Sequence, residues 1–566
     1  MPVQISGYKV RLAFTRYIHF ILQLFGLLLL LFLVLDHLLF HSVVSLSHLE
    51  KYLYLIVAAV ASLSLLAGFW AGTSSGRHLV TKWMHIIENE VDHLPKNDRY
   101  RFLGLLVLLT AYAVVFVAFL DSKYAVIHLD ASRYFNDTRG YIESSSYSLS
   151  DIRFWSGSRP FTLPLFYKMI GYDFSNYIQQ DAMERVGQYQ VAISIFSWTL
   201  LAVVFSMGIK RRFLKILAFS IILFLGASLF ITQWDRSMLS ESLSTSLMVM
   251  LLGFLIIVGL LWDRRQKIST GILIILLILI LLTAVLYAFT RDTNAYMLVA
   301  FSGLMVIGLF SSRVRKHPVL RAYLAILTGF MVIFLLVNVT TNVGKRSISS
   351  LFHVVVFRVI PQQERLDYFI AHGMPYDESY DSLQSLGLKQ LDQAVISEKL
   401  VQQLYGWVND HGQSVIISYL LSHPAYTLGA PFGDVQHWAN SENNGYRKIL
   451  VPTSTRIRIL STIMYPLWDW LPGLFLVLFL VCIGMIWKGR QSGLLWFLVF
   501  TLFFSAYPLV LLIWHSDTND LERHAFQISV QLRLASWMLI VMLIDRGSIY
   551  IRERRIHSSA GKNLKD

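Results

Sequence analysis

The chain has 566 residues, of which 55% are hydrophobic and only 15% charged, at a mean hydropathy of +0.55. A charged fraction well below the roughly 25% of soluble domains excludes a soluble enzyme and a disordered chain, and the single cysteine, Cys482, excludes a disulfide scaffold. The net charge of +14 is then read as basic residues gathered on cytoplasmic loops of a membrane protein, not as a nucleic-acid footprint.

About 20 apolar residues at ~1.5 Å rise cross a hydrocarbon core of ~30 Å. Twelve such runs follow one another: 17–40, 52–72, 102–120, 188–208, 213–232, 238–262, 269–289, 294–310, 322–340, 466–487, 492–513 and 526–544. The first is too long for a signal-peptide core and lacks a small-residue cleavage site, so a retained span is expected. Lys and Arg alternate in abundance between the connections. One set carries clusters such as Lys210-Arg211-Arg212, Arg264-Arg265 and Arg313 to Arg321, and the tail adds Arg552, Arg554 and Arg555. The short loops of the other set hold only Lys51, Arg236, Arg291 and Arg523. That bias puts both termini in the cytoplasm.

The expected fold is all-α and polytopic, with about twelve transmembrane helices and two helical extracytoplasmic loops. The expected organisation is two N-terminal spans and a cytoplasmic loop over 1–101, then a membrane core over 102–345 whose outer loop is 121–187. A second outer helical loop covers 346–460, C-terminal spans cover 461–545, and a basic tail covers 546–566. Neither outer segment holds a 20-residue apolar run, and both carry turn signals such as Ser156-Gly157 and His372-Gly373.

An ionisable group costs about 2.5–3.5 kcal/mol at the centre of a membrane helix, so those within or at the edge of the membrane mark sites worth weighing. On the outer side these are Asp130, Asp137 and Arg139, then Asp235-Arg236 and Glu241, then Arg291-Asp292, and finally Glu522-Arg523-His524. Asp130 reads as a solvated loop residue or a helix N-cap. Arg236 and Arg523 are open to snorkelling as well as to binding. Asp235 and Asp292 are open to pairing with the arginines beside them. Glu241 lies one turn into an apolar helix, and Arg533 sits between Leu532 and Leu534, so its head is expected inside the bundle.

The stretch Asp137-Thr138-Arg139-Gly140-Tyr141, followed by Gly157-Ser158-Arg159-Pro160 and Pro164-Leu165, carries an Asp-Thr-x-x-Tyr motif ahead of Gly-x-Arg-Pro and Pro-Leu. It resembles the GT-C superfamily, polytopic glycosyltransferases that use polyprenyl-phosphate sugars. Ser240-Glu241-Ser242-Leu243 and Glu522-Arg523-His524 are similar to segments of that group, and the resemblance runs from about residue 102 to 545. The chain departs from the pattern by two extra spans at its start. It also lacks an Asp-x-Asp pair in this loop and a Trp-Trp-Asp motif, so no metal or other cofactor is indicated.

The resemblance implies transfer of a monosaccharide, with inversion, from a polyprenyl-phosphate donor to a glycan, lipid or protein acceptor outside a prokaryotic cell membrane. The partners would be membrane lipid, donor and acceptor, with no nucleic acid. The attacking hydroxyl must lose a proton to a carboxylate, and the departing phosphate needs cations. Asp137 is expected as the base, with Glu241 and Asp235 as the other catalytic carboxylates. Arg291, Arg523, His524 and Arg236 are expected on the donor phosphate. Arg159, Tyr141, Trp155 and Arg533 are expected toward the acceptor. The rival readings are a lipid-linked saccharide polymerase or ligase, and a transporter or flippase for such a saccharide.

Overall fold

The structure is a computed structural model that describes residues 98–124, 136–171, 180–263, 270–310, 315, 320–377, 398–440, 455–467, 470–488, 494–516, 518 and 521–562. The apolar runs 17–40 and 52–72, and Asp130, lie outside the described residues. The chain divides into two units, Met1–Ala113 and Val114–Asp566. The first is described only as the opening turns of helix α1 (Asp98–Tyr124).

The second unit is mostly helical and holds no strand among the described residues. After α1 come three short helices, α2 (Asn136–Ser146), α3 (Ile152–Ser156) and α4 (Thr162–Ile170). Apolar helices follow as α5 (Gln180–Gly208), α6 (Arg212–Gly226), the single-turn α7 (Leu229–Thr232), α8 (Ser240–Asp263), α9 (Thr270–Ala288), α10 (Asn294–Leu309) and α11 (Leu320–Val343). Six described helices are long and apolar enough to cross a membrane: α5, α8, α9, α11, and the two closing helices α20 and α21 defined below. The pair α6–α7, bent by 45°, would make a seventh. The runs at 294–310 and 466–487 form shorter apolar helices, Asn294–Leu309 and Leu471–Trp487, so the described residues do not reach the expected twelve spans.

Helix is the structure these runs must take, because a backbone in lipid has to satisfy its polar groups within its own segment. On α9 the buried positions Leu276, Ile280, Ala284 and Tyr287 recur at helical spacing, while Ile272, Ile274, Ile275 and Ile278 face outward. Helix α8 is different: Ser240, Ser242, Ser244, Thr245 and Ser246 are all buried. It packs between α5 and α9 and also meets α20, so its polar N-terminal third lies inside the bundle. The α6–α7 bend is stabilised locally. The backbone N–H of Leu229, one of the donors a helix start leaves open, donates to Ser461 Oγ at 2.8 Å.

The described residues of 347–377 and 398–440 build a cap from α12 (Ser347–Val354), α13 (Gln363–Ala371), α14 (Glu398–Trp407), α15 (Gln413–Ser422), α16 (Pro424–Gly433) and α17 (Val435–Asn440), with π-turns at Val355–Val359 and Val408–Gly412. Its core gathers Leu351, Val355, Leu366, Phe369, Trp407 and Tyr419. Then come α18 (Thr455–Met464), α19 (Leu471–Lys488), α20 (Leu494–Ser516) and α21 (Leu521–Lys562). The cap rests on the end of α20. Arg358 lies over the Trp514 ring at 3.4 Å from its centroid, and Trp514 Nε1 donates to Asp434 Oδ2 at 2.7 Å. Trp407 and Trp438 are buried in packing, and Trp438 Nε1 donates to Pro431 O at 2.9 Å.

Candidate active site

The Asp-Thr-x-x-Tyr motif opens α2, and its spacing explains its residues. Thr138 Oγ1 donates to Met238 O at 3.0 Å, and Tyr141 OH lies 3.4 Å from Ser240 Oγ. These two, one turn apart on the same face, seat α2 on the residues that lead into α8. Asp137, in the first turn of α2, is thereby held beside the start of α8, where Glu241 sits.

The 156–162 segment is tied down next to it. Thr162 donates from its backbone N–H to Phe289 O at 3.1 Å and from Oγ1 to Leu286 O at 2.9 Å, meeting carbonyls that the end of α9 leaves open. Arg346 donates to Gly157 O at 3.1 Å. Arg159 Nη2 then reaches Asp137 Oδ1 at 2.8 Å, with its guanidinium 5.0 Å from the Tyr141 ring centroid. Gly140 gives the guanidinium room: a Cβ there would stand 2.7 Å from Arg159 Nε and the arginine would have to shift.

From the far end of the chain, α21 brings Arg523. Its Nη2 donates to Asp137 Oδ2 at 2.6 Å, and its Nε lies 3.1 Å from Glu241 Oε1. Arg291, in the turn after α9, has Nη1 3.6 Å from the same Glu241 oxygen, and Nη2 contacts His524 Nδ1. Three guanidiniums, two carboxylates and an imidazole thus converge, with an excess of positive charge. Glu241 is 2% exposed, Arg523 8%. Burial by itself would raise the Asp137 carboxyl, but Arg523 and then Arg159 outweigh it and hold it at about 2.

Of the expected residues, the structure brings Asp137, Glu241, Arg159, Tyr141, Arg291, Arg523 and His524 together. Arg523 does not reach outward as a snorkelling side chain would. Arg159, expected toward an acceptor, has its guanidinium on Asp137 itself. Asp235 is separate: its Oδ2 takes Lys123 Nζ at 2.6 Å and its Oδ1 takes Ser242 Oγ at 2.6 Å. Its cation therefore comes from α1, and that of Asp292 from Arg346 at 2.8 Å, rather than from the arginines beside them in sequence. Arg236 is buried in the turn Trp234–Arg236.

Trp155 is used in packing: Nε1 donates to Leu149 O at 2.8 Å, and its ring meets Phe161 edge-on with centroids 4.9 Å apart. Arg533 is inside the bundle as expected, but on other partners. It donates to Ala439 O at 2.8 Å and Pro466 O at 2.5 Å, and stacks 3.8 Å from the Tyr465 ring centroid, so it docks α17 and the end of α18 onto α21. Sequence reasoning missed Lys123, because a cation at the end of an apolar run reads as a snorkelling residue, and Arg346, which follows a span in the same way.

Among the described residues no group of three His, Cys, Asp or Glu side chains is placed to hold a metal ion. No protein-family model matches the chain, and no curated protein matches it. Among solved structures, the archaeal oligosaccharyltransferase AglB from Archaeoglobus fulgidus, in complex with an inhibitory peptide and a dolichol-phosphate, aligns with a TM-score of 0.36 at 10% identity. The alignment covers 79% of this chain and 52% of that one, so this chain spans about half the length of AglB.

Proposed function

We propose that the protein is a membrane glycosyltransferase that moves a monosaccharide from a polyprenyl-phosphate donor to an extracytoplasmic acceptor, with inversion at the anomeric carbon. One observation carries the reading: Arg523 holds Asp137 and lies against Glu241, with Arg291 and His524 joined beside it. A carboxylate for proton abstraction and a cationic pocket for a leaving phosphate are what this transfer needs within one site.

In the proposed reaction Asp137 takes the proton of the acceptor hydroxyl as its oxygen bonds to the anomeric carbon. The bond from that carbon to the phosphate oxygen breaks, and its electron pair stays on the phosphate. Arg523, Arg291 and His524 meet the charge that develops there. Glu241, buried against both guanidiniums, keeps them aimed at one point. The prenyl chain remains in lipid, which is why the chemistry belongs at the end of a span.

The test is transfer from radiolabelled polyprenyl-phosphate sugars by the purified chain in lipid nanodiscs. Asp137→Asn should cut turnover per folded molecule by about 10²–10⁴-fold, since the amide keeps the shape but cannot take the proton. Near-wild-type transfer by that variant would remove Asp137 from the reaction. Sidedness is tested separately: Ser148→Cys in a Cys482→Ser background should react with an impermeant thiol reagent in intact cells, and labelling only after lysis would reverse the assignment.

A further inference from the structure

Asp137 as it stands is a poor base. Both of its oxygens carry a guanidinium, at 2.8 and 2.6 Å, and its carboxyl is held at about 2. A base works best when its proton affinity lies near the operating pH, so one arginine has to let go before the proton can move. The two arginines differ in what else holds them. Arg159 belongs to the same stretch of chain as Asp137. Its guanidinium packs over Tyr141 and into the space left by Gly140, and the Phe161–Thr162 backbone beside it is fastened to the end of α9. Arg523 comes from α21, 386 positions away, and already divides itself between Asp137 and Glu241. It also adjoins His524 and, through it, Arg291. An anion entering among Arg523, Arg291 and His524 would take up the donor group that Asp137 Oδ2 now occupies.

Resting on the transferase reading, we infer that Arg159 is the permanent positioning residue of Asp137, whereas Arg523 is exchanged, leaving the Asp137 carboxylate for the donor phosphate. In the resting protein Asp137 stands in for that phosphate on Arg523. Donor binding removes one of the two guanidiniums, raises the proton affinity of Asp137 and leaves it aligned by Arg159. The base becomes competent only when a donor is in place, which guards the site against abstracting protons to no purpose. The two arginines on one aspartate thus have opposite duties, one fixed and one transferable.

The exchange is testable without turnover. The probe is a short-chain prenyl methyl phosphodiester, a single-charge anion, titrated into the purified full chain in detergent. If Asp137 competes for Arg523, Asp137→Asn should bind the probe about three- to tenfold more tightly than wild type, and Arg523→Lys at least tenfold more weakly, since lysine loses the fork. The gain from Asp137→Asn should vanish in the Arg523→Lys background; a gain that persists there is only a general charge effect and overturns the exchange. Arg159→Lys keeps the charge but not the fork. It should leave probe affinity within about twofold while lowering kcat roughly ten- to a hundredfold at unchanged donor KM. Weakening of the probe equal to that of Arg523→Lys would make Arg159 a phosphate ligand and refute the division. Failure of the transferase reading looks different: the probe pattern holds but no polyprenyl-phosphate sugar is turned over.

Discussion

The Lys123–Asp235 pair gives the sharpest stability prediction. Its side chains are 0% and 2% exposed and meet at 2.6 Å, and Lys123 Nζ also donates to Ser194 Oγ at 2.8 Å. Lys123→Met removes the cation and leaves a buried carboxylate with Ser242 as its one remaining side-chain donor among those described here. Removing one partner of a buried pair costs about 3–5 kcal/mol, whereas replacing both by neutral groups of similar size is often near neutral. Lys123→Met should therefore lose about 3 kcal/mol or more. The double variant Lys123→Met/Asp235→Asn should recover at least about half of that, because the amide still accepts from Ser242 without a charge to bury. Denaturant unfolding in mixed detergent micelles, followed by tryptophan fluorescence, reads both values. A single variant that loses under about 1 kcal/mol, or a double variant no more stable than the single, would refute the claim that an uncompensated charge is the source of the cost. Since Ser242 neighbours Glu241, the single variant should also lose activity in the folded fraction.

Three further outcomes follow from other contacts. Asp137 has a depressed carboxyl, so its stabilising contribution is present above the ordinary carboxylate range and is lost as pH falls toward 2. The stability gap between wild type and Asp137→Asn, about 1–2 kcal/mol at pH 6, should therefore shrink steadily between pH 5 and pH 2.5 on the same unfolding assay. Arg533→Met deprives the Ala439 and Pro466 carbonyls of their donor and should cost about 2–4 kcal/mol, while probe affinity per folded molecule stays within about twofold; a large loss of affinity instead would return Arg533 to the substrate site. Gly140→Ala drives a methyl to 2.7 Å from Arg159 Nε and should lower kcat about tenfold, whereas Gly429→Ala, which meets nothing within 4 Å, should leave kcat unchanged; equal rates for the two would mean Arg159 adjusts freely.

Local motifs were legible in the sequence and distant meetings were not. The apolar runs within the described residues are helical as expected, because a single helix satisfies its own backbone polar groups in lipid. Asp137, Thr138 and Tyr141 stood out because together they make a motif that resembles the GT-C superfamily, and Arg159 follows within the same loop. That Arg523 would come to rest on Asp137 is not written in any spacing, since 386 positions separate them. Arg533 was recognisable as a buried cation, but its partners are backbone carbonyls, which every residue carries and no residue type announces. The same limit hid the partners of Asp235 and Asp292. Neighbouring arginines were the natural candidates, and the fold supplied Lys123 and Arg346 instead.

Helix α21 is fastened at three heights. Arg523 holds Asp137 near its start, Arg533 grips α17 and Pro466 below it, and Asp545 accepts the backbone N–H groups of Lys210 and Arg211 at 3.2 and 3.0 Å where α6 begins. Between Arg523 and Asp545 lie about 33 Å of uninterrupted helix at ~1.5 Å per residue. A rod clamped in this way has no freedom to slide or ratchet by a turn. Any movement of the Arg523 guanidinium must then come from its own side-chain torsions, a stroke of a few ångströms rather than a helix shift. The length of α21 then acts as a ruler: a single residue inserted between 533 and 545 would rotate the two ends by about 100° relative to one another, so that Arg523 and Asp545 could no longer both find their partners.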